Sequence, residues 1–202
     1  MKKRFLEKVK SSIKNQYPNY SNEKIEEIMY GIEGLYITIE KSIIIIGLSF
    51  VLGIFKELII LLLMFNFIRL FAFGMHAPNG TICLIISSLI FIGFAYLIKI
   101  ITINLPIMII LYIFILISVI LFAPADTVKR PLIKKKRRTI YKVISIIITL
   151  IYFSISLLIK NNLIINSMLF GLIIESILIN PITYKIFKLP YDNYKNYGLN
   201  TN

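Results

Sequence analysis

The sequence predicts an all-α membrane protein: a polytopic helical bundle of about six apolar segments behind an amphipathic N-terminal arm. Three observations predict it. Hydrophobic residues make up 57% of the 202 residues and charged residues only 16%, whereas a soluble domain carries about 45–50% apolar and about 25% charged residues. The apolar residues collect in runs near the roughly 20 residues that a helix needs to cross a bilayer, and mean hydropathy reaches +0.81. The Lys and Arg residues of the arm, loops and tail, together with Lys142 at the start of the fifth run, divide eighteen to three between the two sides that alternate crossing defines, which is the positive-inside signature. A disordered chain would be apolar-poor, and a soluble enzyme of this size would need a polar surface that this composition lacks. The net charge of +13 is therefore read as cytoplasmic membrane-protein charge, with no nucleic-acid partner expected.

Residues 1–34 form the arm. Phe5, Leu6, Val9 and Ile13 recur at helical spacing among Lys2, Lys3, Arg4, Lys8, Lys10 and Lys14, the pattern of a helix lying on an anionic leaflet. Tyr17-Pro18-Asn19 breaks it. Ser21 is placed to cap a second helix, with Glu23, Glu26 and Glu27 near its positive end. The basic start runs into this polar stretch and not into an apolar one, so a cleavable signal peptide is not expected.

The membrane part spans residues 35–180. Apolar segments run from Leu35 to Phe55, Leu58 to Phe73, Ile82 to Ile98, Ile100 to Phe122, Ile140 to Ile159 and Leu163 to Ile179. Lys56-Glu57, Lys99 and Lys160-Asn161-Asn162 interrupt the run, and Asn180-Pro181 closes it. The second and third segments are marginal in length, which leaves open a tilted or partly re-entrant course. A basic loop covers 123–138, and residues 181–202 form a tail. With six crossings, both termini, the basic loop and the loop Gly74 to Thr81 share the cytoplasmic side.

The chain contains one cysteine, Cys83, and one histidine, His76. An intramolecular disulfide and a multi-histidine metal site are thereby excluded, and no cofactor is expected. Taken singly, a Cys in an apolar segment is usually an inert small hydrophobe, and a His at a helix end is often a satisfied interfacial residue. The seven-residue spacing would separate the two by about 10.5 Å on a continuous helix, too far for proton transfer. Pro78-Asn79-Gly80 lies between them, and that is turn chemistry. A turn there folds one segment end against the next and brings thiol and imidazole together. Asn79 or Thr81 would cap the following helix, leaving Cys83 in its first turn. Dipole and unpaired N–H groups at a helix start favour a thiolate and an oxyanion. Such an arrangement is a Cys–His nucleophile pair.

Arg69 sits two turns before His76, and a charge on the lipid face of a spanning helix is costly. It is expected inside the bundle, paired with Glu175 or Glu40, which lie at similar depth. This pairing reads either as a structural ion pair or as an anchor for substrate carbonyl or carboxylate groups.

The stretch from Arg69 to Ala77, with Gly74 and His76 inside it, followed by Cys83, resembles the accessory gene regulator protein B (AgrB) peptidases. The family pattern is Arg, three residues, a Gly pair, one residue, His-Ala, then Cys seven after the His; Phe73 stands in place of the first glycine. Ala123-Pro124-Ala125-Asp126, with Pro131-Leu132 before the basic run, resembles the family's Pro-x-Asp…Asn-Lys-Pro-Leu segment; Lys129 and Arg130 replace the Asn-Lys. The resemblance implies a membrane cysteine endopeptidase of Gram-positive quorum sensing, with Cys83 as nucleophile and His76 as general base. It implies cleavage of an AgrD-like propeptide, an acyl-enzyme, and release of a cyclic thiolactone or lactone. Asn79 and Asp126 are candidate third members. Lys134, Lys135, Lys136, Arg137 and Arg138 would attract the acidic end of the propeptide or anionic membrane lipids. A homodimer in the bacterial cell membrane is likewise implied. The rival reading is a small transporter or transporter subunit whose path is lined by Arg69, Glu175, Asn66 and Asn104.

Overall fold

The computed structural model describes residues 2–75, 80–127 and 131–197. The named elements among these are all helices, and an isolated bridge pairs Phe73 with Ala125. The chain divides into two compact units, Met1–Gly47 and Leu48–Asn202.

In the first unit, α1 (Lys2–Gln16) carries the basic amphipathic pattern. Residues 17–21 turn, with Tyr17 and Tyr20 stacked at 5.0 Å. Helix α2 (Asn22–Val51) starts where Ser21 Oγ accepts the Lys24 N–H at 3.2 Å. This helix continues without interruption across residue 34 and ends at a turn where Gly53 has φ +64°.

The second unit is a bundle of α3 (Phe55–Ala72), α4 (Gly80–Ile100), α5 (Leu105–Phe122), α6 (Lys135–Leu158) and α7 (Asn162–Ile179), followed by the short α8 (Pro181–Ile186) and α9 (Tyr194–Tyr197). Helix α7 is central and packs against α3, α4, α5 and α6. It is buried nearly all round, and its Gly171 lets α3 approach so closely that a Cβ there would lie 3.1 Å from the Phe65 nitrogen. Small residues serve this purpose in membrane bundles, where close backbone approach replaces a hydrophobic driving force. Helix α5 shows the complementary pattern. Met108, Tyr112, Ile115 and Val119 form its buried stripe, while Ile110, Ile113, Phe114, Ile117 and Leu121 are exposed. An apolar exterior of this kind suits lipid and not water.

Among the described residues, five helices are long and apolar enough to cross a membrane: α2, α4 from Ile82, α5, α6 and α7. The remaining apolar segment, α3, has 18 residues and carries Lys56, Glu57 and Arg69. The protein is thus an all-α polytopic membrane bundle.

Some boundaries differ from the sequence reading. Lys56 and Glu57 lie in the first turn of α3, because the preceding break falls at Gly53. Lys99 lies inside α4, where its ammonium donates to the Gly53 carbonyl at 2.9 Å. The break after it comes at 101–104, where Asn104 Oδ1 accepts the Ile107 N–H and Pro106 sits in the first turn of α5. Lys135, Lys136, Arg137 and Arg138 form the first turn of α6, so the loop expected over 123–138 ends at Lys134.

Candidate active site

At the end of α3 the chain leaves the helix through two consecutive residues of positive φ, Phe73 at +64° and Gly74 at +97°. A phenylalanine adopts that backbone only at a steric penalty. Its N–H still reaches the Arg69 carbonyl at 3.2 Å, and its ring packs on Tyr141 at 5.4 Å. Gly74 admits no substitute: a Cβ would collide with the Arg69 guanidinium and lie 3.0 Å from the Leu178 carbonyl oxygen. The emerging strand is strapped from both sides. The Gly74 N–H donates to the Ala125 carbonyl at 2.8 Å, Ala125 N–H to the Ala72 carbonyl at 2.9 Å, and Met75 N–H to the Leu178 carbonyl at 3.0 Å.

Arg69 organises this exit. Its Nη2 donates to the carbonyls of Gly74 (3.1 Å) and Met75 (2.6 Å), and its Nη1 donates to Glu175 Oε2 at 3.3 Å. Glu175 is fully buried and the Arg69 side chain 14% exposed. Of the two partners expected for Arg69, the structure supplies Glu175, from the central helix. The other carboxylate oxygen, Oε1, is buried without a hydrogen-bond partner among the described residues.

The anchored backbone leads in sequence to His76 and Asn79, which lie outside the described residues. Beyond them, Cys83 is the fourth residue of α4. It is half-buried, with Sγ 3.9 Å from Ser87 Oγ one turn on. Among the described residues no group of acidic, histidine and cysteine side chains could hold a metal.

Asp126 is built into the scaffold. Only 2% exposed, it accepts the N–H groups of Leu132 (3.2 Å), Asn193 (2.9 Å) and Tyr194 (2.9 Å). Both carboxylate oxygens are thus engaged by backbone donors. Sequence reasoning missed the residues that complete this cluster. Tyr184 is buried, and its hydroxyl donates to the carbonyls of Ala125 (3.2 Å) and Asp126 (3.1 Å). Burial pushes its phenol well above the usual tyrosine range, and that of Tyr191 up to about 12. Both therefore stay neutral donors. Asn193 Nδ2 adds a bond to the Pro190 carbonyl at 3.0 Å. No periodicity marks these residues; a tyrosine four residues past the closing Asn180 was the available signal.

The basic run divides by role. Lys134 is the N-cap residue of α6, and it and Lys135, Lys136 and Arg137 are exposed. Arg137 Nε donates to the Tyr141 hydroxyl at 2.9 Å. Arg138 is half-buried, its guanidinium 3.1 Å from the centre of the Tyr194 ring.

Residues 6–179 match the family model described as Accessory gene regulator B. The chain is 34% identical over 182 residues to an AgrB-like protein of Clostridium acetobutylicum, covering 89% of this chain and 86% of that one. It is 34% identical to an AgrB-like protein of Listeria monocytogenes, with 85% and 84% covered. It is 35% identical to the accessory gene regulator protein B of Staphylococcus epidermidis, with 82% and 84% covered. No solved structure matches the chain. With the family model matching most of its length and the strapped Arg69–Gly74 exit and Cys83 in the family's order, the chain belongs to the accessory gene regulator B family.

Proposed function

We propose that this protein is a cysteine endopeptidase of the bacterial cell membrane that matures a quorum-sensing peptide. It removes the C-terminal part of an AgrD-like propeptide and closes the remainder into a cyclic thiolactone or lactone. The observation that carries this reading is the placement of Cys83 in the first turn of α4, just beyond a backbone exit held rigid by Arg69, Ala125 and Leu178. Precise positioning of reacting groups accounts for a large share of catalysis, and a rigid support is what such positioning requires.

The chemistry follows from the residues. The Cys83 thiolate attacks the scissile carbonyl, and helix-start N–H groups stabilise the oxyanion. His76 takes the thiol proton and returns it to the departing amine. The C-terminal fragment leaves, and the remaining peptide is held as a thioester on Cys83. A thiol or hydroxyl within that peptide then attacks the thioester carbonyl. A ring ester or thioester forms, the bond to Cys83 breaks, and the attacking group's proton returns through His76 to the cysteine. Water must be kept out, since hydrolysis would give a linear product. The apolar surroundings of α4 support that exclusion.

Asp126 acts as structural support, since its oxygens are occupied by backbone donors. Arg69 and Glu175 hold the exit. The exposed Lys134–Arg137 run attracts the acidic end of the propeptide from the cytoplasm. The charge asymmetry supports cytoplasmic termini, and family membership supports a homodimer. The transporter reading loses its footing on its own residues. Arg69 is paired with Glu175, Asn104 caps α5, and Asn66 donates to the Leu62 carbonyl of its own helix.

The test is a reconstituted cleavage assay with an AgrD-like propeptide. Cys83→Ala and His76→Ala are expected to insert and accumulate normally but to lose cleavage, with no thioester-linked species for Cys83→Ala. Cleavage at the normal rate in either variant sinks the peptidase reading.

A further inference from the structure

A cavity of about 480 Å³ lies between the end of α5, the first two turns of α6 and the C-terminal tail. We propose that it binds the phosphate headgroup of an anionic phospholipid of the surrounding leaflet. The proposal rests on the reading of the chain as membrane-embedded and is independent of the cleavage chemistry.

Three cations line the cavity: Lys135, Arg138 and Lys142. Lys135 and Arg138 belong to the first turn of α6 and Lys142 to the second, and Lys134 at the N-cap makes no side-chain capping bond. The N-cap side chain thus gives the first N–H groups of the helix no acceptor, and the helix start adds positive potential there. Like charges crowded at a positive helix end repel one another, and an anion relieves that repulsion.

Arg138 is the sharpest indication. Its Nε is buried and has no hydrogen-bond partner among the described residues. Its guanidinium carbon lies 3.1 Å from the centre of the Tyr194 ring, which restrains the group. Arg138 itself lines the cavity, so N–H groups of its guanidinium other than the buried Nε can donate to a phosphate oxygen there. Tyr191 contributes a neutral wall. The one carboxylate lining the cavity, Asp192, is held by Lys195 at 2.6 Å, so its charge is already answered.

The surroundings select a lipid over a soluble anion. Leu121 lines the cavity and is 62% exposed; Ile140 and Val143, on the same stretch of α6, are 46% and 48% exposed. Acyl chains can lie against Leu121 at the cavity and along the exposed Ile140 and Val143 of α6, whereas an acidic peptide leaves them bare. Basic pockets between helices at the cytoplasmic boundary are known headgroup sites. This site engages the tail residues Tyr191 and Tyr194, so the lipid would also fasten the tail to the bundle.

The test is native mass spectrometry of the full-length detergent-solubilised protein, titrated with dioctanoyl phosphatidylglycerol, dioctanoyl phosphatidylcholine or glycerol phosphate. Phosphatidylglycerol is expected to be retained at least tenfold better than either. Arg138→Gln/Lys142→Gln is expected to reduce that retention at least tenfold, while Lys160→Gln, elsewhere on the surface, leaves it unchanged. The comparison of ligands on the unaltered protein needs no variant to fold. Equal retention of both lipids overturns the proposal, as does a double variant that binds normally. Glycerol phosphate binding as well as the lipid would make this a soluble-phosphate site. Displacement of the lipid by equimolar hexaglutamate would make it a peptide site. Either result also overturns the proposal.

Discussion

Arg69 does three jobs with one guanidinium, and its loss should be felt in each. It compensates the buried charge of Glu175 and holds the carbonyls of Gly74 and Met75. Removing one partner of a buried ion pair costs about 3–5 kcal/mol, mostly from the charge left behind. Arg69→Ala should therefore lower stability in detergent by about that amount. Adding Glu175→Gln removes the orphaned charge and should recover part of the loss. Recovery should be incomplete, because the two carbonyls still lack their donor. Thermal unfolding of the three variants checks this; an additive pair would mean that the two side chains do not interact. The residue scale also explains the glycine pair of the family pattern. Both positions take positive φ, and Phe73 keeps that backbone here with Tyr141 packed against its ring. That Arg69 turns inward to a carboxylate at its own depth was legible in the sequence, because a charge in an apolar run must find an opposite charge; the choice of Glu175 over Glu40 was not, because depth does not fix which helices are neighbours. The Tyr141 and Tyr184 contacts were not, since an aromatic side chain carries no mark in the sequence of which neighbour it meets.

At the scale of elements, the Ser21 cap was read from the sequence, whereas the caps at Asn104, Asn161 and Asn180 and the ends of the apolar runs were not. Ser21, Asn161 and Asn180 each accept N–H groups at the start of a helix, and short polar side chains before apolar runs are a local signal. Lys99 misled because a charge does not end a helix when its long stem can carry the ammonium to a carbonyl, here that of Gly53. The informative signal was Asn104 with Pro106 two residues on. Contacts between elements depend on residues with little signature of their own, and Gly171 is the clearest. It sets the spacing of α3 and α7, the pair that carries Arg69 and Glu175. Overpacking a close contact costs about 1–3 kcal/mol. Gly171→Leu should thus destabilise the bundle by at least that much and reduce propeptide cleavage with it, although residue 171 touches no candidate catalytic group. A variant with unaltered melting and cleavage would show that α3 and α7 do not pack at this glycine.

At the scale of the whole molecule, the all-α membrane bundle follows from composition and charge distribution, which are sums over many residues and survive local errors. The return of the tail onto Phe122, Ala125 and Asp126 is the opposite kind of feature. It depends on Asp126 meeting Asn193 and Tyr194 across 67 and 68 positions of sequence, and nothing periodic connects them. That contact makes a prediction that separates a clasp from a local loop-former. Hydrogen bonds to a charged group contribute about 1.5–3 kcal/mol each. Asp126→Asn keeps the size and loses the charge, so it should destabilise the full chain by roughly one such bond or more. Deleting residues 193–202 removes two of the three backbone donors, leaving Leu132. In the shortened chain the same substitution should cost less than about 1 kcal/mol, because groups sharing a network are not additive. A cycle of four proteins measured by thermal unfolding yields the coupling directly. If Asp126→Asn costs the same with and without the tail, Asp126 serves only its own loop, and the tail must be held by other contacts such as Arg138 on Tyr194.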